Sequence, residues 1–137
     1  MQLDQTQISD IAWHEAGHIV IAESFGLELL GFYIEKTSVS VKINVSQLNE
    51  FEHACVLMAG FFSAVKYSGV DDVTCMRKSA SDCDEAEHLI SITPGINRSS
   101  IREYIYKHLN DNKVYYYAKK IQTILDTNLV DISLIRT

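Results

Sequence analysis

Residues 14 to 18 read His14-Glu15-Ala16-Gly17-His18, and no other run in the chain constrains its fold as tightly. Histidines four apart on a helix stand one above the other on a single face. Each can then offer an imidazole nitrogen to one metal ion. Glu15 directly follows the first histidine, where its carboxylate can reach a water on that metal. This is the H-E-x-x-H arrangement of zinc hydrolases. Ala16 and Gly17 are small, so a substrate or a second segment can come close. The flanks are apolar: Ile8, Ile11, Ala12 and Trp13 before, Ile19, Val20, Ile21 and Ala22 after. The pattern predicts a mostly buried helix whose ligand face opens on a cleft. Chance placement at this composition would give the motif about one time in a hundred. Two buried histidines beside a buried glutamate would be costly without a metal or a charge partner.

The remaining composition narrows the setting. A chain of 137 residues, 47% hydrophobic and 22% charged, suits one domain spanning 1–137 with a real core. A net charge of −6 argues against nucleic acid as the main partner. Cys55, Cys75 and Cys83 show no C-x-x-C spacing, which points to free thiols in a reducing, cytoplasmic compartment. No basic stretch precedes an apolar one at the start, so no secretory signal is expected. The longest apolar run, 54–65, is interrupted by Gly60 and Ser63 and is too short to span a bilayer; no transmembrane segment is expected.

Along the chain, Thr6 or Ser9 can cap the first helix and Gly26 can end it, giving a helix over about 7–25. Residues 29–45 alternate β-branched or aromatic residues with small or polar ones and read as an antiparallel hairpin. That hairpin is either an edge for an extended substrate to pair with or a purely structural element. Ser46 is placed to cap a long core helix over about 47–67, with Phe51, Ala54, Cys55, Met58, Phe61, Phe62 and Val65 on its apolar face. His53, in its first turns, reads as a partly exposed helix residue. Residues 68–80 read as a loop. A helix follows from Ser81 or Asp82, closed by Thr93-Pro94-Gly95. Ser100 and Glu103 suggest a capping box for a helix to about His108. The last helix covers about 113–127, with Val114, Tyr117, Ala118, Ile121, Ile124 and Leu125 facing inward. The tail 129–135 is apolar enough to dock on the body. The expected fold is mainly α (α+β), with a small hairpin beside the metal helix.

A catalytic zinc usually takes three protein ligands and a water. Residues 19–29 contain no histidine, so a closely spaced third histidine is absent. Glu50, Glu52, Glu85 and Glu87 are all candidates by composition. Asp82 taken alone reads as a helix N-cap, with Glu85 completing a capping box.

Four pieces, in order, resemble the peptidase domain of the FtsH-type ATP-dependent zinc proteases. Residues 11–22, IAWHEAGHIVIA, look like that family's metal helix. LMAGFFSA (57–64) is similar to its L-A-G-R-x-A helix, and SASDCDEAEHLI (79–90) to its segment G-A-x-x-D-[LI]-x-x-A-x-x-[LI]. Residues 118–134 resemble its closing helix and tail. The resemblance implies a zincin-like helical bundle with a Zn²⁺ cofactor, held by His14, His18 and the aspartate of the third piece. In register that aspartate is Asp82, with Asp84 and His88 as runners-up. It further implies hydrolysis of a peptide or protein substrate with Glu15 as general base. Because the family forms hexameric rings, it also suggests a homo-oligomer or a separate ATPase partner.

The departures point elsewhere as well. Phe61 stands where the family tends to have arginine, Val65 and Lys66 replace an acidic pair, and residues 91–112 look altered or shortened. No G-x-x-x-x-G-K-[ST] run occurs, so ATP-driven unfolding by this chain is not expected. A second reading is therefore a non-catalytic or regulatory metal-binding module of a larger assembly. A third, a regulatory H-E-x-x-H peptidase that cleaves repressors, shares the motif and size but no further match.

Overall fold

A computed structural model describes residues 8–35 and 38–127. Among these residues the architecture is six helices and one two-stranded antiparallel sheet, in the order α1 (Asp10–Ser24), β1 (Leu29–Glu35), β2 (Ser38–Ile43), α2 (Glu50–Tyr67), α3 (Asp72–Lys78), α4 (Ala80–Ile92), α5 (Arg98–His108) and α6 (Asp111–Thr127). The mainly helical fold with a small hairpin is as the sequence predicts. Thr6 and the tail 129–135 lie outside the described residues.

Helix α1 begins where Ser9 accepts the N–H of Ala12 through its hydroxyl. It stops at Phe25, and Gly26 then takes the left-handed conformation (φ +82°) that an L side chain resists. Its two sides meet different neighbours. One packs on α6 through Trp13, which is fully buried between Tyr115 of α6, 6.4 Å away between ring centroids, and Tyr67 of α2, stacked at 5.2 Å. Val114, Ala118, Ile121 and Ile124 line the facing side of α6, all fully buried, on the 3.6-residue period of an amphipathic helix. The other side packs on α2 at a close approach. A Cβ on Gly17 would fall 2.4 Å from the Ser63 Cβ and 2.6 Å from the Ala59 carbonyl oxygen. Only glycine allows the two backbones this near. The Ser63 hydroxyl seals the contact by donating to the Trp13 carbonyl at 2.6 Å.

Strands β1 and β2 pair with Phe32 opposite Val41 and Glu35 opposite Ser38. Val41 and Ile43 of β2 pack against the core beside α1.

Several element starts differ from the sequence expectation, each for a local reason. Helix α2 is capped by Asn49, not Ser46. Asn49 and Glu52 form a reciprocal capping box, satisfying two backbone donors at once, while the Ser46 hydroxyl turns to Asn44. The expected loop 68–80 contains α3. Asp71 accepts both the N–H and the hydroxyl of Thr74, and Arg77 and Lys78 in the last turn suit the helix dipole. Helix α4 starts at Ala80, with Ser79 at its N-cap. Asn97, through the N–H of Ser100, starts α5 in place of the predicted Ser100–Glu103 box. Asn110 accepts the N–H of Lys113 and lets α6 begin at Asp111.

Among the described residues no helix is long and apolar enough to cross a membrane. Cys55, Cys75 and Cys83 are free and buried.

Candidate metal centre

The i, i+4 spacing on α1 places the His14 and His18 rings edge to face, 4.7 Å apart between centroids. Their Nε2 atoms lie 3.0 Å from one another. From α4, Asp82 brings one carboxylate oxygen to 3.1 Å from both. Three donor atoms on two helices, 64 and 68 residues apart in sequence, thus meet at one point.

Partners behind the rings fix their orientation. His18 Nδ1 lies 2.6 Å from the Val56 carbonyl of α2, an acceptor, so this nitrogen donates. In the neutral ring the lone pair is then on Nε2. His14 Nδ1 faces the Ser79 hydroxyl at 3.1 Å. Such partners to the remote nitrogen orient histidines that bind metals. Gly60 of α2 supplies the floor: a Cβ there would fall 2.6 Å from Nε2 of both histidines.

The donor set fits a zinc ion. With both rings neutral, two imidazole lone pairs and a carboxylate oxygen at such range repel unless a metal ion lies among them; without one, a protonated ring donates to the carboxylate. Tetrahedral zinc with ligands at about 2.1 Å separates them by about 3.4 Å, a few tenths of an ångström beyond the spacing here.

In the absence of metal the charges of the cluster act on one another. Burial pushes the Asp82 carboxyl upward, but hydrogen bonds from His14 and His18 and their charges outweigh it, holding it well below the usual carboxylate range. For His18, burial opposes the charged ring. The Asp82 hydrogen bond and the Glu15 and Asp82 charges win, and its pKa rises to about 9.

Glu15 is buried, at 8% exposure. Burial raises its pKa, against the lowering influence of His18, His14 and the Val41 amide. One carboxylate oxygen accepts the Val41 N–H at 3.1 Å. The other lies 3.9 Å from His14 Nε2, at the edge of the metal cluster. Since the Val41 N–H points to Glu15, it points away from β1, and this edge of β2 borders the site.

The structure brings together His14, Glu15, His18 and Asp82. It leaves the other candidates elsewhere. Asp84, Glu85 and His88 are exposed on α4, and Glu87 pairs with Arg98. Glu50 is exposed, Glu52 is spent in the α2 capping box, and His53 is half-buried. Asp82 is the third residue of α4, not its cap, and its carboxylate faces α1. Gly60, Ser79 and the Val41 amide are contributors that sequence reasoning did not single out. A glycine inside a helix costs about 1 kcal/mol against alanine, and that cost was the available signal for Gly60.

Comparison of the chain with protein-family models, with curated proteins and with solved structures returns no match.

Proposed function

We propose that this chain is a zinc-dependent metalloendopeptidase of the FtsH-peptidase type. The observation that carries the proposal is the meeting of His14 Nε2, His18 Nε2 and the Asp82 carboxylate within 3.1 Å, with the Glu15 carboxylate 3.9 Å from His14. His14, His18 and Asp82 would hold Zn²⁺. Zinc, when bound, supplies Lewis-acid polarisation of a carbonyl and acidification of a water. Glu15 is the general base: it takes the proton of the attacking water and passes it to the leaving amine. Its raised pKa brings it nearer to neutrality, where accepting and releasing a proton are both feasible. The Val41 amide holds one Glu15 oxygen and leaves the other toward the reacting water. The substrate backbone would lie extended along the outer edge of β2. The partners in this reading are a peptide or protein substrate and either further copies of the chain or a separate ATPase, in the cytoplasm.

The test is zinc analysis together with digestion of casein and a peptide library. One zinc per chain with cleavage is expected, and Glu15→Gln should keep the zinc while reducing hydrolysis at least about 100-fold. Undiminished hydrolysis in that variant would refute the assignment. Zinc bound without any cleavage would move the reading to a regulatory metal-binding module.

A further inference from the structure

Asp10, His14 and His18 follow one another at four-residue steps along one face of α1. Three residues of the α3–α4 segment meet them in the same order. Lys78 donates to Asp10 at 2.5 Å, the Ser79 hydroxyl lies 3.1 Å from His14 Nδ1, and an Asp82 oxygen lies 3.1 Å from Nε2 of both histidines. Ser79 ends α3 and begins α4, so the three sit at the joint between two helices. Among the described residues, no other hydrogen bond or ion pair joins α1 to this segment. Its apolar anchorage near the joint lies elsewhere: Cys75 and Cys83 share a small buried cluster with Phe61 and Ala64 of α2. Between α1 and α3 there is instead a cavity of about 350 Å³. The joint is thus held to α2 by packing and to α1 by polar links.

Of these links, Lys78–Asp10 is the one that touches neither histidine. It uses no atom that a metal would need. The Asp10 side chain is 16% exposed against 54% for Lys78, so the carboxylate is the fixed end and the lysine reaches over to it. We propose that Lys78 and Asp10 form a positioning clamp: their ion pair sets the α3–α4 joint on α1, so that Ser79 and Asp82 already face the histidines before a metal arrives. The inference rests on the metal centre of the reading above and not on its peptidase chemistry. A contact that orders the donors in advance raises metal affinity by removing part of the ordering cost. The competing account is that each charge serves only its own helix. Asp10 lies in the first turn of α1 and Lys78 in the last turn of α3, where each suits the helix dipole.

The test is the zinc affinity of the full chain, read by competition with a chromophoric chelator, with circular dichroism as the check on folding. Lys78→Glu should lower the affinity about fivefold, the scale of an exposed ion pair turned to repulsion. The sign is diagnostic, because a negative charge added near the site would by itself attract a dication. Asp10→Lys should also lower it about fivefold, and Asp10→Lys combined with Lys78→Glu should return it to within about twofold of the parent. In that double exchange both charges oppose their helix dipoles, so a purely local role puts the greatest loss there. Arg77→Glu makes the same charge change one residue away on an exposed side chain and should leave the affinity within about twofold. High salt should narrow the gap between the parent and Lys78→Glu. Lys78→Met, the mildest change, should cost about threefold. Unchanged or higher affinity in Lys78→Glu, no recovery in the double exchange, or a parent chain that binds no zinc overturns the clamp. Recovery in the double exchange with no peptide cleaved by the parent supports the clamp and refutes the peptidase reading.

Discussion

Helices α3 and α4 follow one another directly, and each carries an aspartate at its start, yet the two carboxylates are put to opposite uses. Asp71 is exposed and turns back on its own helix, accepting the N–H and hydroxyl of Thr74 at 2.8 and 3.0 Å. Hydrogen bonds from Thr74 hold its carboxyl below the ordinary value. Asp82 turns away from its own helix to two imidazoles on α1. Ser79, the N-cap of α4, makes no capping bond with its side chain; its hydroxyl is against His14 Nδ1. One helix start serves itself. The other gives up both its local side-chain bonds to a neighbouring helix. Helix α4 forgoes a side-chain cap, worth about 1 kcal/mol, while Ser79 and Asp82 turn to a distant pair of histidines.

The largest expected effect separates the two aspartates. Asp82→Ala should weaken zinc binding by more than about 100-fold, beyond what loss of an outer partner does, as read by competition with a chromophoric chelator. Asp71→Ala and Asp84→Ala should leave zinc affinity within about twofold. Equal losses at Asp82 and Asp84 would break the assignment.

Next comes the proton that zinc must displace. Without metal, His18 titrates near 9 rather than at its ordinary 6.5, so it is charged at neutral pH. Its stabilising contribution is full below 6.5 and is lost as pH rises through about 9. Asp82, whose value is lowered, contributes fully above its ordinary 3.8 and loses that contribution as pH falls through its depressed value. The metal-free cluster is therefore most stabilising between 3.8 and 6.5. Zinc binding at pH 7.5 should release about one proton, measured by calorimetry in buffers of different ionisation enthalpy. No release would show that the ring is neutral before metal arrives.

Ser79→Ala should lower zinc affinity by about tenfold, through loss of the His14 orienting partner. It should cost little in helix stability, because no cap bond is lost. Asp71→Ala should do the reverse: about 1 kcal/mol of stability in denaturant unfolding and no change in zinc.

Much of the fold was legible because it is local. The period of α6, the capping of α1 and the alternation of the hairpin all lie within a few residues of each other. Helix α3 was hidden because Cys75 is its one buried residue; seven residues with one inward position give no period to detect. The start of α2 was misplaced because Ser46 and Asn49 are both good caps, and only the reciprocal bond to Glu52 decides between them. The same divide runs through the site. His14, Glu15 and His18 announce themselves by spacing. Asp82 could be placed with the histidines in advance only through family resemblance, since nothing in the segment 79–90 distinguishes a carboxylate that faces α1 from an N-cap until α4 is docked on α1. Gly60 matters through shape, which its place inside a helix only hints at, and Ser79 through a bond across helices that has no one-dimensional signature.

The three thiols give this chain an internal clock. Cys55, Cys75 and Cys83 sit one each on α2, α3 and α4; α2 also carries Gly60 beneath the two histidines, and α4 carries Asp82. Burial, with nearby Glu52, pushes Cys55 up to about 12, and burial with the neighbouring carboxylates takes Cys83 up to about 11. The reactive thiolate is therefore scarce while the helices stay closed. Alkylation at each position times the opening of its own helix, and Cys83, next to Asp82 in the chain, times the opening of the metal cluster.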